Sequence, residues 1–282
     1  MLTSELISQC RREFQDIPKM SQAAKLADGV ANVFNLGRQP IVESSYTIYF
    51  NTSAKTETTH YTLDKDSGDL QTVAVQAAGI NVKAIFKYAI FRDANWTEAI
   101  NYGIDALNGR GFFRQVVRNT SVMALSANVR TYSGPSACVD LYEVLQTDTG
   151  TVSGSYRRLE GNWSYQQDAN KLLLDYKPLT AGKLAVSYLR NMQTYSATSA
   201  TLDVAQDWLE LVKTKAGVYF YDSLAARIAQ MPTATVDEGH YSVRNLLALS
   251  QNLEQRFNQL AARKKPTRPA KSMQYAVSDG TR

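Results

Sequence analysis

The chain has 282 residues, of which 44% are hydrophobic and 20% charged, the balance of an ordinary globular protein. No stretch approaches 18 consecutive apolar residues, which excludes a membrane-spanning helix. The N-terminal sequence lacks a basic region followed by an apolar run and therefore predicts no secretory signal. Cys10 and Cys138 are the only cysteines. They are too few for a disulfide framework or a zinc site, and they fit synthesis in a reducing cytoplasm.

The formal net charge of +5 is concentrated at one end of the chain. Residues 263–282 contain six bases and one acid, so residues 1–262 are formally neutral. The pI near 9.0 therefore describes the C-terminal segment rather than a basic globular face. Residues 265–282 contain two prolines and no apolar stripe. This pattern cannot continue a helix and predicts an extended C-terminal arm.

Periodicity in the first half predicts a helix, a β module and a second helix. Apolar side chains recur at helical spacing over residues 4–16, until a proline interrupts. Alternating apolar and polar residues predict antiparallel strands between residues 28 and 92, with a hairpin turn at 65–68. The next helix follows at Asn95, because Asn95 and Glu98 fit a capping pattern ahead of an apolar stripe.

The second half shows the same alternation of strands and helices. Strands are predicted between residues 111 and 200, separated by glycine-containing turns. Two long amphipathic helices follow at 202–230 and 242–264, and the short connection lets them pair as an antiparallel hairpin. Residues 83–88 show a weak internal similarity to residues 183–188, since each segment is a predicted strand that ends in tyrosine and precedes a helix.

The predicted fold class is α+β, with a helical bundle core. This core consists of the short N-terminal helix, the central helix and the long C-terminal hairpin, with two inserted antiparallel β modules and an extended C-terminal arm. The predicted segments are an N-terminal helix and linker (1–27), the first β module (28–92), the central helix (93–110), the second β module (111–200), the helical hairpin (201–264) and the arm (265–282).

Residues suited to catalysis or metal binding are sparse. His60 and His240 are the only histidines, and neither belongs to a nucleophile-elbow or zinc motif. The run from Asp64 begins like a calcium loop but lacks the required glycine and glutamate, which favours a hairpin turn. Gly109-Arg110-Gly111 follows a helix rather than a strand, which favours a helix cap over a phosphate loop. We therefore predict no catalytic residue, no cofactor, no metal and no enzymatic activity.

Several stretches together resemble tailed-phage virion proteins. The sequences DGVANVFNL at residues 28–36, SYTIY at 45–49 and YTLD at 61–64, with Pro40 and Gly68, resemble a small β module of such proteins. The order of elements along most of the chain, including KLAVSYLR at 183–190 before a helix, resembles the head-to-tail adaptor (connector) subunits of tailed phages.

This resemblance implies a structural virion protein at the head–tail junction. Adaptor subunits form a ring, usually of twelve, that binds the portal, connects it to a tail or nozzle protein and leaves a channel for DNA ejection. The passing genomic DNA is contacted without sequence specificity, and no membrane is involved. The C-terminal arm of the family inserts into the portal. Here the partner-binding residues on that arm are Arg263, Lys264, Lys265, Arg268, Lys271 and Tyr275.

Three other hypotheses remain open from the sequence. The chain is alternatively a different tail or fibre-attachment subunit of the virion. A nucleic-acid-binding protein would use the basic C-terminal tail, and its DNA binding would depend steeply on salt. A glycan-handling protein would stack sugars on Trp96 and Trp163.

Overall fold

A computed structural model of the chain describes residues 1–116, 123–147, 157–159, 161–196, 200–230 and 242–264. The chain divides into two compact units. The first contains Met1–Gly103, Thr194–Leu202 and Trp208–Leu260, and the second contains Ile104–Gln193, Asp203–Asp207 and the chain from Ala261. The helices are α1 (Thr3–Glu13), α2 (Asp93–Gly109), α3 (Leu209–Gln230), which a 3₁₀ turn at Gln206–Trp208 precedes, and α4 (Val243–Arg263).

The first β module, in the first unit, consists of two antiparallel sheets. Their strand orders are β1-β7-β3-β4 and β2-β6-β5. The strands are β1 (Lys19–Leu26), β2 (Val33–Asn35), β3 (Ile41–Phe50), β4 (Ser53–Lys55), β5 (Tyr61–Asp64), β6 (Asp69–Thr72) and β7 (Asn81–Tyr88). Their buried side chains, among them Phe34, Ile48, Leu70 and Phe86, form one hydrophobic cluster. This module therefore has a core of its own, formed mainly by strand residues.

The predicted turn at 65–68 joins β5 to β6. The Asp64 carboxylate accepts hydrogen bonds from the backbone N–H groups of Asp66 and Ser67, and Gly68 adopts a φ of +71°. A φ in this range favours glycine. These N–H donors lower the pKa of the Asp64 carboxyl. The Asp64 carboxylate is thus hydrogen-bonded to the backbone of its own turn, as the hairpin interpretation predicts.

The second β module, in the second unit, also consists of antiparallel sheets. Their strand orders are β10-β14-β13 and β12-β11-β15-β8, and β9 also pairs with β15. Its strands are β8 (Arg114–Val116), β9 (Met123–Leu125), β10 (Thr131–Ser133), β11 (Cys138–Thr147), β12 (Arg157–Arg158), β13 (Trp163–Gln166), β14 (Lys171–Leu174) and β15 (Gly182–Arg190). Tyr132, Val144, Trp163, Leu172 and Val186 are part of its core.

The two β modules have the same strand connectivity. The pairings among the six strands β2 to β7 are repeated, in the same order, among the six strands β10 to β15. Strands β8 and β9 together take the place of β1. Phe34 lies opposite Leu70 as Tyr132 lies opposite Leu172. The β5–β6 turn ends with left-handed Gly68, and the β13–β14 turn ends with left-handed Asn170. The weak similarity between residues 83–88 and 183–188 thus lies in β7 and β15, each of which is an interior strand of its sheet.

The helices of the first unit pack around aromatic side chains. Trp96 of α2 stacks on Phe220 of α3 with ring centroids 5.1 Å apart, and Phe14 stacks on Trp96 at 5.9 Å. Phe91 meets Phe220 edge-on at 4.8 Å, a favourable aromatic geometry. Half of the residues of α3 are buried, including Lys215. This helix is therefore enclosed by its neighbours rather than exposed along one side.

A buried ion network fixes the N-terminal helix in the first unit. Arg11 bonds to the carboxylates of Asp16 and Asp93, each at 2.8 Å, and to the Phe91 carbonyl at 2.9 Å. Asp16 also accepts a hydrogen bond from the Trp96 indole N–H at 2.7 Å. Backbone N–H groups of Ile90 and Phe91 donate to the same carboxylate. Burial raises the pKa of the Asp16 carboxyl, whereas Arg11, Trp96 and these N–H groups act in the opposite direction.

The predicted helical bundle core is wrong. The described residues form a mixed α+β structure in which each β module has its own hydrophobic cluster. An apolar stripe shows that a helix has a buried side but does not identify what covers it. In addition, β1 lies within the predicted N-terminal linker of residues 1–27 and pairs with β7 along its whole length. The segment 265–282 lies outside the described residues.

Candidate assembly surfaces

One face of the first module's four-stranded sheet lacks a cover within its module. The opposite face carries Val82, Ala84 and Phe86, which point into the core. Because side chains alternate along a strand, the intervening residues and their cross-strand partners share the outer side. We call this side the outer sheet face. Its residues are Met20, Gln22, Ala24 and Leu26 of β1, Thr47 and Tyr49 of β3, and Lys83, Ile85 and Lys87 of β7.

The outer sheet face combines exposed apolar side chains with positive charge. Met20 is 67% exposed and Leu26 is 72% exposed, both on the edge strand β1. Lys87 lies opposite Met20, and Lys83 lies opposite Ala24. No carboxylate belongs to the face as defined by these described strands. Exposed apolar groups bordered by one sign of charge are typical of a protein-interaction surface.

The equivalent face of the second module is buried. On β15, Leu184, Val186 and Tyr188 point into the module's core, so Ala185, Ser187 and Leu189 point to the other side. Their exposures are only 3%, 1% and 6%. The same sheet face is therefore covered in one module and open in the other. Sequence reasoning missed the open face because Lys19–Leu26 has too weak an apolar alternation to predict β1.

A second surface, on the helices of the first unit, carries the opposite charge. Glu98 and Tyr102 lie one turn apart on α2, and Tyr219 and Asp222 lie on α3. The Tyr219 hydroxyl donates to Glu98 at 3.2 Å, and the rings of Tyr102 and Tyr219 are 5.6 Å apart. Burial, followed by the nearby Glu98, raises the pKa of the Tyr219 hydroxyl. Glu98, Tyr102 and Asp222 are exposed, so we call these four residues the acidic helix face.

Helices α3 and α4 run antiparallel in the first unit. Arg256 bonds to Glu210 at 3.1 Å, and Lys215 pairs with Glu254 further along. The Lys215 ammonium also lies 5.3 Å from the ring centre of Phe257. Lys215, although buried, therefore has both a carboxylate and an aromatic partner, and the hairpin is tied by polar as well as apolar contacts.

The predicted arm begins where α4 ends. Arg263 is the last residue of α4 and is exposed. Lys264 follows it and donates a hydrogen bond to the Asp207 carbonyl oxygen, within the second unit. The other predicted partner-binding residues lie outside the described residues, and they are Lys265, Arg268, Lys271 and Tyr275. The structure therefore places only the two residues from which the arm starts.

The candidate chemical groups that lie within the described residues are part of local structure. The imidazole Nδ1 of His60 accepts from the Thr56 N–H at 3.3 Å, and His240 lies outside the described residues. Trp96 and Trp163 are 0% and 7% exposed, so neither can stack a sugar. The described side chains contain no cluster of three or more His, Cys, Asp or Glu arranged to hold a metal ion.

Cys10 is expected to resist alkylation in the folded protein. Its side chain is fully buried, and burial, reinforced by Glu13, raises the pKa of the thiol to about 12. The reactive thiolate is therefore scarce at about pH 8. Peptide mass spectrometry after maleimide treatment measures this, with guanidinium-unfolded protein as the control in which Cys10 and Cys138 both react. Rapid modification of Cys10 in the native protein would contradict the burial.

None of the helices in the described ranges has the length and apolar character needed to cross a bilayer. No protein-family model and no curated protein matches the chain.

Proposed function

We propose that this chain is a structural virion protein that forms the head-to-tail adaptor ring of a tailed phage. In this role it binds the portal, connects it to the tail and leaves a channel for DNA. The observation that carries the proposal is the open outer sheet face, whose counterpart in the second module is buried. A chain that repeats one module but leaves one copy uncovered is suited to assembly with neighbours.

The use of polar groups inside the chain supports a structural role. Arg11, Asp16 and Asp93 satisfy one another and the backbone around α1. Lys215, the other buried cation among the described residues, is paired with Glu254. Such networks hold helices in place, because a buried charge without a partner is strongly unfavourable. These groups are thus committed to the fold.

The start of the arm supports contact with a second virion protein. Helix α4 carries the chain to exposed Arg263, and the basic, proline-containing segment begins directly after it. A segment that orders only on binding can cover a large surface at an entropic cost. A ring would repeat this contact at every subunit, and the resulting avidity offsets that cost. The portal is the partner that the resemblance assigns to this arm.

Deleting residues 265–282 is expected to abolish attachment to portal-bearing heads while the subunit stays folded. The deletion begins after the last described residue, Lys264, and leaves intact the described strands of both β modules and the four described helices. We expect co-sedimentation with purified portal-bearing heads to fall by about tenfold or more, since a multivalent contact is lost at every subunit. Circular dichroism of the truncated protein checks the fold.

A charge-neutralised variant separates portal binding from DNA binding. Replacing Lys265, Arg268 and Lys271 with glutamine keeps the length of the arm but removes three of its charges. We expect this variant to bind heads more weakly than the wild type, because three of the six predicted partner-binding residues lose their charge, and we expect neither protein to bind free DNA. Steeply salt-dependent binding of the wild-type protein to free DNA, lost in the glutamine variant, would favour the nucleic-acid alternative. Truncated subunits that still join heads would exclude the docking role of the arm.

A further inference from the structure

We infer that the outer sheet face of one subunit docks on the acidic helix face of a second copy of this chain. The inference rests on the proposed function and names the surfaces through which adjacent subunits meet. Both surfaces belong to the first unit, and each is exposed in the single chain. They differ from one another, so the contact is heterologous, the type that builds a ring when the rotation between neighbouring subunits closes.

The charges of the two surfaces are complementary. Lys83 and Lys87 lie four residues apart on β7, which separates them by about 13 Å along the strand. Glu98 and Asp222 lie on two adjacent helices, with Tyr219 bonded to Glu98 between them. The outer sheet face therefore presents two positive charges on one strand, and the acidic helix face presents two negative charges on two adjacent helices. Such an arrangement directs orientation and excludes incorrect partners.

The uncharged parts of the two surfaces also match. Exposed Met20 and Leu26, together with partly buried Ile85, provide an apolar area on the sheet. Tyr102 and Tyr219 provide two adjoining rings on the helices, and Tyr102 is 42% exposed. Tyrosine suits such contacts, since the ring packs against apolar groups while the hydroxyl keeps a polar partner.

A symmetric contact between two outer sheet faces is disfavoured. It would bring Lys83 and Lys87 of one copy against the same lysines of the other, with no carboxylate on either face. Like charges held together at an interface cost several kcal/mol. The second module shows that this sheet can be covered on both sides, because Ala185 and Leu189 are buried there. We therefore assign the cover of the first module to the helices of a neighbouring subunit.

Reciprocal charge reversal tests the inference. One variant carries Lys83→Glu and Lys87→Glu, and the other carries Glu98→Lys and Asp222→Lys. Each variant alone then has two surfaces of like charge, and we expect its self-association to weaken by about tenfold or more. An equimolar mixture restores opposite charges at every contact and is expected to assemble like the wild type. Analytical ultracentrifugation or mass photometry measures the assemblies.

A matched control replaces Lys171 and Lys177 with glutamate, which makes the same charge change at exposed positions of the second module. This control is expected to assemble like the wild type, and circular dichroism checks the fold of all variants. The inference is overturned if the wild type stays monomeric, if either reversed variant assembles normally, or if the mixture fails to assemble. Attachment of the monomer to portal-bearing heads through the arm is a separate measurement, so the proposed function can fail or survive independently.

Discussion

The Asp16→Asn variant is expected to lose about 3–5 kcal/mol of unfolding free energy, the usual cost of breaking a buried ion pair from one side. Asp16 is 2% exposed and accepts from Arg11, the Trp96 indole and two backbone N–H groups. An asparagine fills the same volume, but its amide N–H₂ would face donors. Arg11 would keep Asp93 as an ion-pair partner but would lose Asp16, the more deeply buried of its two partners.

Urea unfolding followed by circular dichroism measures this loss. Asp66→Asn is the matched control, because Asp66 also pairs with an arginine, Arg92, at 2.8 Å, but its side chain is 65% exposed. An exposed pair contributes only about 0–1 kcal/mol, so the control is expected to unfold close to the wild type. An Asp16→Asn variant as stable as the control would show that the network contributes little to the fold.

The Gly103→Leu variant is expected to lose about 3 kcal/mol, at the upper end of the range for overpacked sites. A Cβ on Gly103 would lie 2.7 Å from the Val212 backbone oxygen and 3.2 Å from the Val212 Cα. The obstacle is the backbone of α3, which cannot rotate away as a side chain can. The two helices would have to separate, and separation would disturb the packing of Trp96 on Phe220.

Gly109 provides the control for this substitution within the same helix. It is the last residue of α2, and a Cβ there would meet nothing within 4 Å. Leucine is a better helix former than glycine by somewhat less than about 1 kcal/mol, so Gly109→Leu is expected to be neutral or slightly stabilising. Thermal unfolding compares the two variants. Equal midpoints would mean that α2 and α3 tolerate a wider separation than the structure has.

Local signals predicted individual elements well. The alternation of buried Val82, Ala84 and Phe86 with outward-facing residues identifies β7. The turn chemistry from Asp64 to Gly68 identifies the β5–β6 hairpin. Each of these features is determined by residues that are close together in the sequence, so the local sequence pattern is enough to predict it. Helices α1, α2 and α4 lie close to their predicted positions for the same reason, whereas α3 begins at Leu209 rather than at residue 202.

Long-range partners could not be predicted in this way. Arg11 and Asp93 are 82 residues apart, and in sequence each resembles an ordinary solvated charge. The helix stripes suggested that the helices form the core by packing on one another, yet each β module has its own hydrophobic cluster, formed mainly by strand residues. The outer sheet face could not be predicted from the sequence either, because it exists only when β1 pairs with β7 in the observed register. The arm stays a prediction from composition, whereas the outer sheet face and the acidic helix face come from the structure.

The repeated connectivity of the β modules bears on how the chain is synthesised. Strands β7 and β15 are both interior strands with apolar inward side chains, so each resembles a partner for the other's neighbours, β3 and β11. The ribosome releases residues 19–88 before β11 exists, and β7 then finds only β3 and β1. When β15 emerges, those edges are already occupied. Vectorial synthesis thereby removes a strand exchange between modules that refolding from denaturant leaves open.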